Sequence, residues 1–336
     1  MKHPFYSGQG KQRDQGASDL PAPRRSDLIQ PNKYLADPGL VDAANVALML
    51  GQPLLLTGEA GTGKTQFAYS LAWELKLGEP GKYQPFKFET KSNSVSKDLF
   101  YTYDALKRFQ DIQSDLKPDS ILPYLTYQAL GIAILHTRSR KEIESLVPAN
   151  FPTGEKSRSV VLIDEIDKAP RDFPNDILNE IENMYFRIPE MGNLVVEAER
   201  SLSPLVVITS NSEKDLPDAF LRRCVYYNIP FPSPERMREI IANRLGKFVA
   251  GTSPFVDDAI DLFFALRKAP GGLRKNPSTA EMLGWMLALK DMADGAENPL
   301  SQPGLAMRAL SNLVKTTADQ EKARDVVEEW VKTQQK

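Results

Sequence analysis

Up to about residue 230 the chain alternates short, uniformly apolar runs with stretches whose apolar positions recur at helical spacing. Leu54, Leu55 and Leu56, with Thr57, form the first run. Ala68, Leu71, Ala72 and Leu75 follow at the three-and-four spacing that puts them on one face of a helix. Ahead of it, residues 39–50 (GLVDAANVALML) carry Val41, Ala44, Val46, Ala47, Leu48 and Leu50 around another helix. Asp37 is placed as its N-cap and Pro38 as its first residue. Residues 86–89 alternate apolar and charged, as a second strand does. Residues 159–164 (SVVLID), 205–209 and 225–229 (VYYNI) read as further strands. The uniformly apolar SVVLID is too short for an amphipathic helix and suits a parallel strand buried on both faces. A helix with Pro174 near its start and Ile177, Ile181 and Met184 on one face comes next, and EMGNLVVEAE (190–199) resembles a hairpin turn with one short strand. Strands separated by helices predict a three-layer α/β domain.

Between about 101 and 157 the periodicity predicts an inserted helical segment. Leu106, Phe109 and Ile112 share a helix face, and residues 122–146 read as one or two more helices, closed off by Pro148, Pro152 and Gly154. Such an insert either serves a partner or extends the core. Pro230, Pro232 and Pro234 then open a region with helical patterns only, which predicts an all-α domain over 231–336. Residues 1–26 are polar, mildly basic and rich in glycine and proline, as a disordered leader is, and the α/β domain is expected over 27–230.

The junction after the first strand is where chemistry enters. Gly58, Glu59, Ala60, Gly61, Thr62, Gly63, Lys64 and Thr65 fill the pattern G-x-x-x-x-G-K-[ST] without a mismatch, and Gln66 completes the nucleotide-binding stretch as the helix begins. Glycines let the backbone curl so that successive N–H groups face phosphate oxygens, and the helix N-terminus adds its dipole. Lys64 is placed to reach the β- and γ-phosphates, and the Thr65 hydroxyl to take one corner of an octahedral Mg²⁺. The strand SVVLID ends in Asp164 and Glu165, at the carboxyl edge where open α/β sheets bind ligands. Asp164 is positioned for Mg²⁺, directly or through water, and Glu165 to polarise a water for attack on a γ-phosphate. Residues 206–211 (VVITSN) end in Asn211, which an adjacent strand would bring between the two phosphate loops. Arg222 and Arg223 close a short helical pattern just before the last strand. They either pair with local carboxylates or reach a neighbouring subunit's γ-phosphate.

Composition narrows the partners. A net charge of −2, from 42 basic and 44 acidic residues, gives no electrostatic reason to expect nucleic acid as the main ligand. A single cysteine, Cys224, excludes an intramolecular disulfide and fits a reducing compartment. The N-terminal residues carry no hydrophobic signal core and the sequence holds no long apolar run, so no membrane span and a cytoplasmic location are expected. His3 and His136 are isolated, without metal-ligand spacing. Trp285 with Met282, Met286 and Leu289 makes a stripe typical of a helical core.

GEAGTGKT, LIDEIDKAP, ITSN and LPDAFLRRC, in that order and followed by a helical region, resemble the AAA+ ATPases of the MoxR kind over roughly residues 28–292. The resemblance implies a five-stranded parallel sheet in the nucleotide-binding domain, an all-α lid, and ATP with Mg²⁺ bound between protomers of a ring, commonly a hexamer. It also implies a protein client that is remodelled or matured, often with a von Willebrand factor A-domain partner. By the same resemblance Lys64 and Thr65 bind phosphate and Mg²⁺, Asp164 binds Mg²⁺, and Glu165 is the catalytic base. Asn211 is the residue that senses the γ-phosphate, and Arg223, with Arg222 second, acts on the neighbour's nucleotide. One departure stands out. Where many relatives carry a lid arginine after Ser-Pro, this chain has Ala280, and Arg274 or Lys275 is the available substitute. Phe100 and Tyr101 lie where some relatives place substrate-gripping loops, although the usual aromatic-hydrophobic-glycine signature is missing. A nucleotide-switched signalling or defence scaffold with slow hydrolysis, and less readily a nucleic-acid motor, use the same residues.

Overall fold

The computed structural model describes residues 6, 20, 28–78, 81–114, 120–152, 154–211, 216–246, 249, 253–293 and 295–334. The expected leader over 1–26 therefore lies, but for Tyr6 and Leu20, outside the described residues. The chain divides into two units, one spanning 35–231 and one combining 28–34 with the chain from Pro232 onward.

The first unit is built on a five-stranded parallel sheet. In chain order its strands are β1 (Leu54–Thr57), β2 (Phe86–Glu89), β5 (Val160–Asp164), β8 (Leu205–Thr209) and β9 (Val225–Asn228), and in space they run β2-β5-β8-β1-β9. Position in the sheet explains the sequence patterns. Every residue of β1, β5 and β8 is buried, so these central strands read as unbroken apolar runs. β2 and β9 are edges with one wetter face, and their residues alternate. Fully burying a leucine, isoleucine or valine contributes about 1.5–3 kcal/mol, so the three central strands supply much of the drive to form the sheet.

Helix α1 (Pro38–Leu50) begins as its sequence predicts. The Asp37 carboxylate accepts from the Leu40 N–H, Pro38 occupies the first turn, and Gly51 ends the helix in the left-handed region at φ 66°. Tyr227 on β9 donates its hydroxyl to the same Asp37, fixing the helix start against the sheet edge. Helix α2 (Lys64–Glu74) follows β1 directly.

The insert differs from the helical segment expected. It contains a two-stranded antiparallel sheet, β3 (Tyr101–Tyr103) with β4 (Leu125–Tyr127), framing helix α3 (Ala105–Gln113), and only then does α4 (Ala129–His136) begin. The cause is tertiary. Phe100 stacks on Phe186 at 5.5 Å, and Tyr101 and Tyr127 both pack on the same ring at 6.2 Å. At Gly131 helix α4 runs so close to the insert that a Cβ would stand 2.0 Å from the Phe100 carbonyl oxygen. Leu106, Phe109 and Ile112 do share one face of α3, and that face is exposed.

A second difference falls after α5 (Leu178–Asn183). Met184, read from its spacing as part of the helix, ends it in the left-handed region at φ 48°. The next residues form β6 (Tyr185–Ile188), which pairs antiparallel with β7 (Leu194–Glu197).

The second unit is helical, with α6 (Pro234–Leu245), α7 (Pro254–Arg267), α8 (Thr279–Met292), α9 (Pro303–Ala309) and α10 (Thr317–Gln334). Met282, Trp285, Met286 and Leu289 of α8 are all buried core residues. Arg244, largely buried, donates to the carbonyls of Leu28 at 3.0 Å and Gln30 at 2.9 Å, which ties 28–34 to this unit. Among the described residues no helix is long and apolar enough to cross a membrane.

Candidate nucleotide site

β1 delivers the chain to the glycine loop at the carboxyl edge of the sheet. Gly58 has φ 133°, and a Cβ there would lie 2.5 Å from the Ile229 carbonyl oxygen, so only glycine fits. Gly63, at φ 99°, turns the chain into α2 and leaves the first N–H groups of that helix facing the loop. The Thr62 hydroxyl donates to the Glu59 carbonyl at 2.9 Å and closes the turn. Lys64 folds back over the loop, donating to the carbonyls of Gly58 at 2.7 Å and Glu59 at 3.1 Å. Burial pulls the Lys64 ammonium below its ordinary pKa, partly offset by Asp167, Asp164 and Glu165. A buried cation above a ring of N–H donors is a site prepared for a polyanion.

Asp164, the last residue of β5, is the hub of the polar contacts. Its Oδ1 accepts from the Thr65 hydroxyl at 2.8 Å and the Thr209 hydroxyl at 2.7 Å, and its Oδ2 pairs with Lys87 Nζ at 3.0 Å. Burial raises the pKa of this carboxyl, but the Thr209, Lys87 and Thr65 hydrogen bonds outweigh it, and the net shift is downward. Lys87 also bonds Glu89 at 2.7 Å. Despite the opposing effect of burial, its two carboxylate partners hold its pKa up.

Glu165 follows in the left-handed region, at φ 57° and ψ 54°, a conformation that costs a non-glycine residue about 1–3 kcal/mol and is met at functional sites. Its N–H is held by the Thr209 hydroxyl at 2.9 Å, and its half-exposed carboxylate pairs with Lys168. Thr209 therefore ties β8 to both acidic residues. Asn211, two residues on, is exposed, and its N–H donates to Asp167 Oδ1 at 3.1 Å. Sequence reasoning passed over Thr209 and Lys87. Thr209 had a usable signal, as the hydroxyl that ends the apolar run VVIT. Lys87 looked like any charged residue of an alternating strand.

Arg222 and Arg223 sit at the opposite edge of the sheet. The Val225 N–H donates to the Pro53 carbonyl at 2.8 Å, so the arginines lie level with the start of β1, whereas the glycine loop follows its end. Four residues of strand separate the two levels by about 13 Å. Arg223 is held by Glu182 at 3.1 Å and by the Ala219 carbonyl at 3.0 Å. Arg222 is exposed and makes no ion pair among the described residues. Both border a cavity of about 360 Å³ with Glu182, Pro53 and Cys224. Burial pushes the Cys224 thiol up to about 12, which leaves it protonated and inert.

One expected position has another role. Phe100 and Tyr101 are buried in the ring cluster around Phe186 and cannot grip a client directly. In the helical unit the backbone N–H groups of Arg274 and Lys275 donate to Asp319, at 2.8 and 3.2 Å, which fixes the chain there and leaves their side chains out of these bonds, and Ala280 lies in the first turn of α8.

The residues present suit Mg²⁺. Thr65 and Asp164 offer adjacent hard oxygen donors, and among the described residues no cluster of three or more His, Cys, Asp or Glu is gathered to hold a metal unaided. A small oxygen donor set is characteristic of Mg²⁺ held jointly by protein and phosphate.

Comparison with known proteins places this geometry. Residues 53–224 match the family model of the AAA domain, dynein-related subfamily. Among solved structures the chain is similar to a mutant RuvB from Thermotoga maritima, with 15% identity, a TM-score of 0.44, and coverage of 86% of this chain and 67% of that one. No curated protein matches. The family match begins one residue before β1, ends one residue before β9 and takes in more than half of the sequence, so the chain belongs to the dynein-related subfamily of AAA domains.

Proposed function

We propose that the protein is a Mg²⁺-dependent ATP hydrolase that works as a ring, each site being completed by arginines from the next subunit. The observation that carries this reading is the placement of Arg222 and Arg223 about 13 Å of strand away from the glycine loop of their own chain. Residues so placed serve a neighbour's nucleotide more readily than their own.

Within a subunit the loop N–H groups and Lys64 bind and orient the phosphates, and Thr65 with Asp164 holds Mg²⁺. Held there, Mg²⁺ would supply neutralisation of phosphate charge. Glu165 accepts the proton of the attacking water, and Thr209 keeps its backbone in place. Asn211 orients that water. The guanidinium of Arg223, with Arg222 beside it, offsets the charge that grows on the transferring phosphoryl group.

The wider reading is a MoxR-type remodelling or maturation factor in the cytoplasm. It acts on a protein client as a hexameric ring, with a von Willebrand factor A-domain protein as partner. The pairing of Glu165 with Lys168 favours a second reading, because the carboxylate has to leave Lys168 before it can take hold of a water. Slow turnover would then make the ring a nucleotide-set switch.

Sedimentation of the Glu165→Gln protein with and without ATP tests the ring. A closed oligomer is expected with ATP and should be lost in Arg223→Ala. A chain that binds ATP yet sediments as a monomer at saturation refutes assembly through the nucleotide.

A further inference from the structure

Lys87 has no part in the reading above, yet its ammonium stands on the carboxylate assigned to the metal. In the β2–β5 register Glu89 lies beside Asp164, and Lys87, two residues earlier on β2, projects from the same face. A lysine on an edge strand ordinarily keeps its charge in water and pairs with an exposed neighbour. Here Nζ bridges two carboxylates of contrasting exposure, Glu89 at 2.7 Å with 71% of its side chain exposed and Asp164 at 3.0 Å with 11%. The division of labour on Asp164 is equally uneven. Oδ1 takes two hydroxyl donors, from Thr65 and Thr209, which leaves Oδ2 as the oxygen with charge to offer, and Lys87 occupies it.

We propose that Lys87 is a displaceable counter-ion for Asp164, one that sets the Mg²⁺ concentration at which the protein takes up nucleotide. This rests on the reading of the site as one for Mg²⁺ and nucleotide. Without a metal, a buried carboxylate needs a partner, and Lys87 supplies it. A cation drawn to Asp164 meets the positive charge of Lys87 on the same oxygen, and the two repel. Glu89 gives the ammonium a second anchor. Lys87 can give up Oδ2 by a small swing toward Glu89 without leaving its strand or opening a cavity. Lys87 is thus a positioning residue, acting on the metal through Asp164.

The test is calorimetric binding of ATPγS to metal-stripped protein across a range of Mg²⁺ concentrations, for wild type, Lys87→Met, Lys87→Arg and Glu89→Gln. In Lys87→Met the Mg²⁺ concentration for half-maximal binding should fall about tenfold, the scale of one ion pair at a partly exposed site after solvent screening. Lys87→Arg should stay near wild type. Glu89→Gln, which removes the second anchor, should shift the requirement upward. Thermal unfolding without metal separates this from a purely structural bridge. A Lys87→Met protein that melts lower but keeps the wild-type Mg²⁺ requirement overturns the proposal, as does one that needs more Mg²⁺. If Lys87→Met does not fold, Glu89→Gln decides, and an unshifted requirement there overturns it too. Wild-type protein that takes up no nucleotide at any Mg²⁺ concentration refutes the hydrolase reading itself, a result distinct from all of these.

Discussion

Thr209→Val separates the role of one hydroxyl from the shape of the side chain that carries it. Valine fills the same volume, so no cavity is made in a strand whose every residue is buried. Two polar interactions are lost. The hydroxyl no longer donates to Asp164 Oδ1 at 2.7 Å, a hydrogen bond to a charged acceptor of the kind that contributes about 1.5–3 kcal/mol. The Glu165 N–H, 2.9 Å from the Thr209 hydroxyl oxygen, loses its acceptor, and an unpaired donor costs about 1–3 kcal/mol. The two do not add in full, because Asp164 keeps Thr65 and Lys87, and water reaches the half-exposed Glu165. A net loss of roughly 2–3 kcal/mol follows, or about 5–10 °C in the melting temperature of a unit of this size. Scanning calorimetry in EDTA without nucleotide measures it, with Thr209→Ser as the control that keeps the hydroxyl and drops only a methyl group. The expected order of stability is wild type, then serine, then valine. A valine variant as stable as the serine one refutes the assignment of Thr209 as the tie between β8 and the two acidic residues.

Two further outcomes follow from packing and burial. Gly131→Ala places a Cβ against the Phe100 carbonyl, where backbone and not a flexible side chain must yield, so urea denaturation should show a loss of about 3 kcal/mol; a loss under 1 kcal/mol would mean that α4 and the insert are not in close contact. His136 lies between Phe86 and Phe151 with no partner for Nε2, and burial holds it neutral, below its ordinary pKa. Its unfolded form therefore binds the extra proton first, and stability should fall as pH drops through about 6.5 toward the folded value. The urea midpoint measured at pH 7.5 and 5.5 should move less in His136→Met than in wild type, and equal shifts would place the acid sensitivity elsewhere.

What the sequence made legible was whatever local order and burial alone decide. The uniform runs at 54–57, 160–164 and 205–209 could only be central strands, and the glycine loop between β1 and α2 announced its ligand class by residue type and spacing. The insert was misread because its strands are three residues long and their reason lies elsewhere in the chain. Tyr101 and Tyr127 are held by the ring of Phe186, which no window around either residue contains. Leu125–Tyr127 also runs almost directly into the apolar helix Ala129–His136, so one helical pattern covered both. Met184 fell at helical spacing from Ile181 but turns left-handed, and the alternating Tyr-Phe-Arg-Ile before Pro189 was the available sign of a strand. In the site, Lys64 and Asp164 stood out because residues of those types have one dominant use at such positions. Thr209 and Lys87 have many uses, and only the register of neighbouring strands shows which one applies.

The order of the sheet has a cost in time. β1 is the first strand to leave the ribosome, yet it lies between β8 and β9, and Thr57 meets its register partner Asn228 only across 171 residues of chain. At common rates of synthesis, about 5–20 residues per second, that interval is roughly 10–30 s. For most of it, until β8 follows, Leu54, Leu55 and Leu56 and the glycine loop behind them have neither of their strand neighbours to join. The nucleotide cradle can therefore form only near the end of translation of the α/β unit, and a chain stalled before residue 205 would present Leu54, Leu55 and Leu56 to whatever chaperone or fellow nascent chain is nearest.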